Sequence, residues 1–150
     1  MIEVYNDQFF MKQAYAEALK ARDAGEVPIG AVLVFKKQII ARAHNQTQLL
    51  QDVTAHAEML GITAASNGIN AKYLKDCTLF VTLEPCVMCA AALRWAQISK
   101  LVYAAEDPKQ GYMRYGNELL HPKTKIHYGL LSDECSELMR EFFKTRRKKA

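Results

Sequence analysis

The sequence predicts an α/β layered fold, with one mixed sheet between helices. Apolar runs of strand length alternate with stretches of helical period along most of the chain, which argues for layers rather than a bundle or a sandwich. The first two strand-like runs, 31–35 and 39–43, are joined only by Lys36-Lys37-Gln38, the pattern of an antiparallel hairpin at one edge. Later strand-like runs are separated by helical stretches, as parallel crossovers require. The 150 residues, half of them apolar, fit one domain spanning 1–150.

Each element has its own signal. Asn6 or Asp7 is placed to cap a first helix, in which Phe10, Ala14, Ala18 and Ala21 recur on one face before Gly25 ends it. The hairpin follows, its second strand ending at His44-Asn45. Thr54 is a good N-cap for a helix that starts near Ala55, places His56 and Glu58 in its first turn and breaks at Ser66-Asn67-Gly68. Residues 77–82 read as a buried strand, and Pro85 suits the first turn of a helix that carries Cys86 to Ala96. Residues 100–105 form the next strand. From Glu106 to Lys125, Pro108, Gly111, Gly116 and Pro122 interrupt any period, so a long functional loop with a short helix at 117–120 is expected. A last strand at 126–130 and a final helix opening at Asp133, just after Ser132, complete the chain.

Composition narrows the function classes. No stretch approaches the roughly 18 uninterrupted apolar residues of a membrane span. The opening Met1-Ile2-Glu3-Val4-Tyr5-Asn6-Asp7 lacks the basic-then-apolar order of a signal peptide, so a cytoplasmic protein without membrane association is expected. In that reducing setting the four cysteines, Cys77, Cys86, Cys89 and Cys135, point to metal or redox chemistry rather than disulfides. The formal charge is only +4, but Arg140, Lys144, Arg146, Arg147, Lys148 and Lys149 crowd the C-terminal end against the single acid Glu141. Such a tail attracts a phosphate backbone; it is also what a solvated helix C-terminus looks like.

Cys86 and Cys89, three apart at a helix start, can turn both sulfurs towards one ion. His56, at another helix start, adds a nitrogen, and a mixed N/S set suits zinc. Structural zinc is usually closed by four protein ligands, whereas catalytic zinc keeps three and leaves a position for water. Glu58, two residues from His56, is placed to move that water's protons. Cys77 and Cys135 read as small core side chains, and His121 and His127 as loop and strand residues with local partners. His44 offers a possible fourth ligand, though no spacing favours it.

The order His56-Ala57-Glu58, then Pro85-Cys86-Val87-Met88-Cys89, is the known signature of zinc-dependent nucleobase deaminases. With Glu26-Val27-Pro28-Ile29-Gly30, Asn45, Thr82-Leu83-Glu84-Pro85-Cys86-Val87-Met88-Cys89, Asp107, Lys109, Gly111 and Phe142-Phe143-Lys144-Thr145-Arg146-Arg147, the chain resembles over nearly its whole length the bacterial tRNA-specific adenosine deaminases of the cytidine-deaminase superfamily. That resemblance implies a three-layer α/β/α cytidine-deaminase-like fold with a central mixed five-stranded sheet. It further implies a homodimer with one zinc per subunit that converts adenosine to inosine at the wobble position of a tRNA anticodon loop. By the same resemblance Asn45 hydrogen-bonds the flipped base, Pro28 and Ile29 wall the pocket, and Asp107 and Lys109 meet nucleotides beside the target. Phe143, Arg146 and Arg147 brace the anticodon stem-loop. Backbone N–H groups from Glu84 to Cys86 are placed to orient the nucleophile.

The chain departs from the family at Tyr112-Met113-Arg114-Tyr115, where small residues are usual, and at Val53, where proline is common. The four bulky residues suit stacking on bases or packing at a dimer interface. Two alternatives remain open on the sequence: a deaminase of free guanine or a small nucleoside, which shares the zinc motif, and a non-catalytic structural-zinc RNA-binding module, which needs a fourth ligand from His44, Cys77 or Cys135.

Overall fold

The structure, a computed structural model, describes residues 5–149, and side chains as far as Arg147. The N-terminal reading at Met1 to Val4 and the side chains of Lys148 and Lys149 fall outside the described residues. In chain order the elements are helix α1 (Asp7–Asp23), strands β1 (Gly30–Phe35) and β2 (Gln38–His44), helix α2 (Ala57–Gly68), strand β3 (Cys77–Leu83), helix α3 (Val87–Ala96), strands β4 (Lys100–Ala105) and β5 (Lys125–Tyr128), and helix α4 (Ser132–Lys149). Two short 3-10 helices, Tyr112–Arg114 and Asn117–Leu119, lie in the long loop before β5; only the second coincides with the helix expected there.

The five strands order as β2-β1-β3-β4-β5, with β1 antiparallel to both neighbours and the β3-β4 and β4-β5 pairs parallel. Alternation along the strands splits the core into two layers. Ala31, Leu33, Leu79, Val81, Leu101 and Tyr103 face α2 and α3 with Ala57, Ala65, Ala90 and Leu93. Val32, Val34, Phe80, Val102 and Ala104 face the other way, onto Phe10, Met11 and Ala14 of α1 and Cys135 of α4. Gly30 lets α1 lie close on the sheet: a Cβ there would come within 2.2 Å of the Ala14 carbonyl oxygen. Cys77 and Cys135 are buried free thiols in opposite core layers, as small core side chains.

Strand direction gathers the chemistry at one edge. The parallel pair β3 and β4 ends there, at Leu83 and Ala105. Antiparallel β1 begins there at Gly30, which pairs with His44 at the end of β2. The residues just beyond these ends, Ile29, Asn45, Glu84 and Glu106, therefore meet, and α2 and α3 start among them.

Two helix starts differ from expectation. Thr54 does not cap α2; its N–H and hydroxyl donate to Asp52 Oδ1 at 2.8 and 2.7 Å, and this local turn competes for the side chain. His56 takes the N-cap position, and the amide oxygen of Asn45 accepts the N–H of Ala57 at 2.7 Å instead. Likewise Cys86, extended at ψ 174° and bridged to Gly111, is the N-cap of α3, so Pro85 lies before the helix rather than in its first turn.

Candidate active site

The N-termini of α2 and α3 bring His56, Cys86 and Cys89 together, with one donor atom from each lying within 4.8 Å of the others. His56 Nδ1 is 3.6 Å from Cys86 Sγ and 3.6 Å from Cys89 Sγ. Tetrahedral zinc, with bonds of about 2.3 Å to sulfur and 2.0–2.1 Å to nitrogen, separates such atoms by roughly 3.5–3.6 Å. The three donors therefore fit that ion in both chemistry and spacing. His44 sits apart from them, with Nδ1 3.5 Å from Glu17 Oε1. Among the described residues no fourth Cys, His, Asp or Glu joins the cluster.

The electrostatics suit a metal site. Hydrogen bonds from Cys89 and His56 outweigh burial and pull the Cys86 thiol down to about 4, making it the thiolate of the pair. Cys89, which donates to Cys86 and is buried, is driven up, and the hydrogen bond to Cys86 raises His56. Glu58 lies in the first turn of α2, only 3% exposed, and its Oε1 is a buried oxygen without a hydrogen-bond partner. Burial pushes its carboxyl up to about 7. A carboxyl near neutrality, with an oxygen unspent on the protein, both takes and gives protons.

A cavity of about 700 Å³ opens beside His56. Of the sequence-predicted residues, Ile29, Asn45, Asp107, Lys109, Phe143 and Arg147 line it. The amide oxygen of Asn45 is taken by Ala57, so the amide NH2 is what Asn45 offers the cavity.

Pro28, Glu84 and Arg146 do not line it. Pro28 is buried, and its neighbour Val27 lines the wall instead. The Glu84 N–H donates to the Ala105 carbonyl at 2.8 Å and so has no bond left for a nucleophile. Arg146 turns away, donating to the Gly25 carbonyl and covering the Phe142 ring at 4.8 Å.

Thr47 and Ser136 line the cavity without having been singled out, and Arg140, named in the sequence only as part of the basic tail, lines it too. The signal for two of them was helical spacing: Ser136, Arg140, Phe143 and Arg147 follow one another at four, three and four residues, one stripe of α4. The run from Tyr112 divides: Tyr112 is fully buried edge-on to Tyr103, whereas Tyr115 is 64% exposed under Arg114, which donates to the Lys109 carbonyl at 2.6 Å.

A model of MafB19-like deaminases matches residues 5–147. The tRNA-specific adenosine deaminase of Aquifex aeolicus (strain VF5) is 44% identical, the match covering 91% of this chain and 93% of that protein. That of Bacillus subtilis (strain 168) is 45% identical over 95% and 92%. Among solved structures, a tRNA:A34 deaminase studied for A-to-I editing at the wobble position of transfer RNA superposes with a TM-score of 0.81 at 42% identity, covering 86% of this chain and 97% of that one. A guanine deaminase from Bacillus subtilis superposes with a TM-score of 0.65 at 40% identity, covering 67% of this chain and 65% of that one.

Proposed function

We propose, since the chain belongs to the tRNA-specific adenosine deaminases within the MafB19-like deaminases, that it hydrolyses adenosine to inosine at the wobble position of a tRNA anticodon loop. The observation that carries this reading is the cavity that opens beside His56: Lys109, Arg140 and Arg147 line it together with the acids Glu106 and Asp107, so cations able to meet phosphate share a wall with the hydrolytic centre. His56, Cys86 and Cys89 hold one zinc per subunit. When bound, that ion would act as a Lewis acid and lower the pKa of a water towards about 7.

The chain's own groups do the rest. Ile29 and Val27 wall the ring of the extruded base, and the Asn45 amide NH2 donates to it. Glu58 takes a proton from the attacking water and delivers it to N1 of adenine. Oxygen bonds to C6 in that step; Glu58 then takes the proton left on this oxygen and passes it to the amino nitrogen, the C6–N bond breaks and ammonia leaves. A loop nucleotide costs little to extrude because it is already partly unstacked. We read residues 1–150 as one deaminase domain that works as a cytoplasmic homodimer. No helix among the described residues is long and apolar enough to cross a membrane.

Incubation with an anticodon stem-loop carrying a wobble adenosine, in parallel with free guanine and free adenosine, tests the reading. Inosine should form in the stem-loop. Deamination of guanine with the RNA untouched would overturn the assignment in favour of a free-base enzyme. The two tail arginines should also separate. Arg147→Ala is expected to weaken stem-loop binding and to reduce the slope of log affinity against log salt by about 1. Arg146→Ala should weaken binding with that slope unchanged, because its guanidinium is spent on Gly25 and Phe142. Equal salt slopes for both variants would contradict this division.

A further inference from the structure

Two buried carboxylates, neither touching the cavity, each hold one of the loops that form its rim. Glu26, in the turn between α1 and β1, is 2% exposed. Its Oε1 accepts the Gln48 N–H at 3.0 Å and the Thr47 hydroxyl at 3.4 Å, and its Oε2 accepts the Leu49 N–H at 2.8 Å. Glu84, after β3, is 5% exposed; its Oε1 accepts the Asp107 N–H and its Oε2 the Met113 N–H, each at 3.0 Å. The first loop presents Thr47 to the cavity, and the second presents Asp107, Lys109 and Gln110.

Packing anchors little of the rim itself. In the first loop Leu49 is 73% exposed and Leu50 50%; in the second Tyr112 is buried against Tyr103, but Met113 beside it is 48% exposed and Lys109 and Gln110 are exposed, so these side chains face solvent while the backbone is tied inward. Charge-assisted bonds from backbone N–H groups to a buried carboxylate are among the stronger single ties available to a surface loop. Gly111 fits the same arrangement: a Cβ there would lie 2.0 Å from Glu84 Oε2.

We propose that Glu26 and Glu84 are positioning residues that fix the two rim loops at the separation the RNA requires, and so govern RNA binding rather than the chemical step. This rests on the proposed RNA deamination. In both residues the donors lie on different carboxylate oxygens, so glutamine, with one oxygen and one NH2, loses one end of the clamp whichever way its amide turns.

The test is the steady-state kinetics of Glu26→Gln and Glu84→Gln on the anticodon stem-loop, with zinc content and amide hydrogen exchange measured on the same proteins. KM is expected to rise about tenfold or more, with kcat within about threefold of the parent. Exchange should accelerate at Gln48 and Leu49 in the first variant and at Asp107 and Met113 in the second, zinc content staying at one per subunit. Glu17→Gln is the matched control: Glu17 is 3% exposed but pairs with Lys20 at 2.8 Å, away from the rim loops. It should lower thermal stability without moving KM.

Unchanged KM and exchange in the clamp variants, a fall confined to kcat, or an equal KM rise in Glu17→Gln would overturn the proposal. Should Glu84→Gln fail to fold, Gly111→Ala strains the same clamp from the loop side and must raise KM likewise. A parent protein that leaves the stem-loop untouched defeats the functional reading instead, and the exchange data still decide whether the clamps exist.

Discussion

Glu58→Ala should retain zinc and bind the stem-loop as the parent does, yet lower single-turnover deamination by about 10²–10⁴-fold, the range lost with a general acid–base. The expectation follows from where the carboxyl sits: buried in the first turn of α2, beside the metal ligands but outside the cluster they form, with Oε1 unspent on the protein. Retained turnover would refute Glu58 as the proton carrier, and lost zinc would make it a ligand.

Glu58→Gln adds a test of the environment itself. Burial raises the carboxyl from 4.5 to about 7, so between those values the folded state binds more protons than the unfolded one. The folded carboxyl therefore costs nothing below pH 4.5, costs progressively more as pH rises, and costs its full amount above about 7. Removing the charge should stabilise the metal-free protein by on the order of 3 kcal/mol at pH 8 and by almost nothing at pH 4. Denaturation midpoints at pH 8 that coincide with the parent's would show that burial does not strain this group.

The His56, Cys86 and Cys89 cluster, with Glu58 in the same helix start as His56, was legible in the sequence because metal chemistry narrows the residue type at each position: imidazole and thiolate are not interchangeable there. The sheet was legible because continuous apolar runs of strand length such as 31–35 and 100–105, buried on both faces, are locally consistent with their tertiary role. What escaped was decided by which partner each group finds in the fold. Thr54 has every local mark of an N-cap, but Asp52, two residues before it, competes for it, and Asn45, just after β2, supplies the cap. Glu26 and Glu84 stand in the family motifs, Glu84 expected to act through its backbone N–H, but nothing local shows that their carboxylates hold loops until strand directions bring two loops onto them. Arg146 and Arg147 are adjacent and chemically alike; the turn of α4 sends one to Gly25 and the other to the cavity. Tyr112 and Tyr115, one turn apart in an aperiodic segment, gave no clue that the first is core and the second surface.

Stripping zinc with a chelator should abolish deamination altogether, and adding the metal back should restore it. The loss should exceed that of Glu58→Ala, because without the ion neither the nucleophile nor the two helix starts that frame it are held. Held by His56, Cys86 and Cys89, the ion would join the N-cap of α2 to the N-cap and first turn of α3, so its removal should also cost stability, about 4 kcal/mol where zinc stands a thousandfold above its dissociation constant. Cys86→Ser should reproduce both losses, since it removes one of the three clustered donors. Cys77→Ser should retain stoichiometric zinc and turnover, Cys77 being a core thiol at the start of β3 that burial pushes towards its protonated form. The three variants thereby separate what the ion holds together from what it helps to react. Glu58→Ala keeps the stability contributed by zinc and loses the chemistry, Cys86→Ser loses both, and Cys77→Ser keeps both apart from a packing defect. A purely structural zinc would give a different pattern, in which Glu58→Ala changes no activity because there is none to change and removal of zinc is seen only in the unfolding curve.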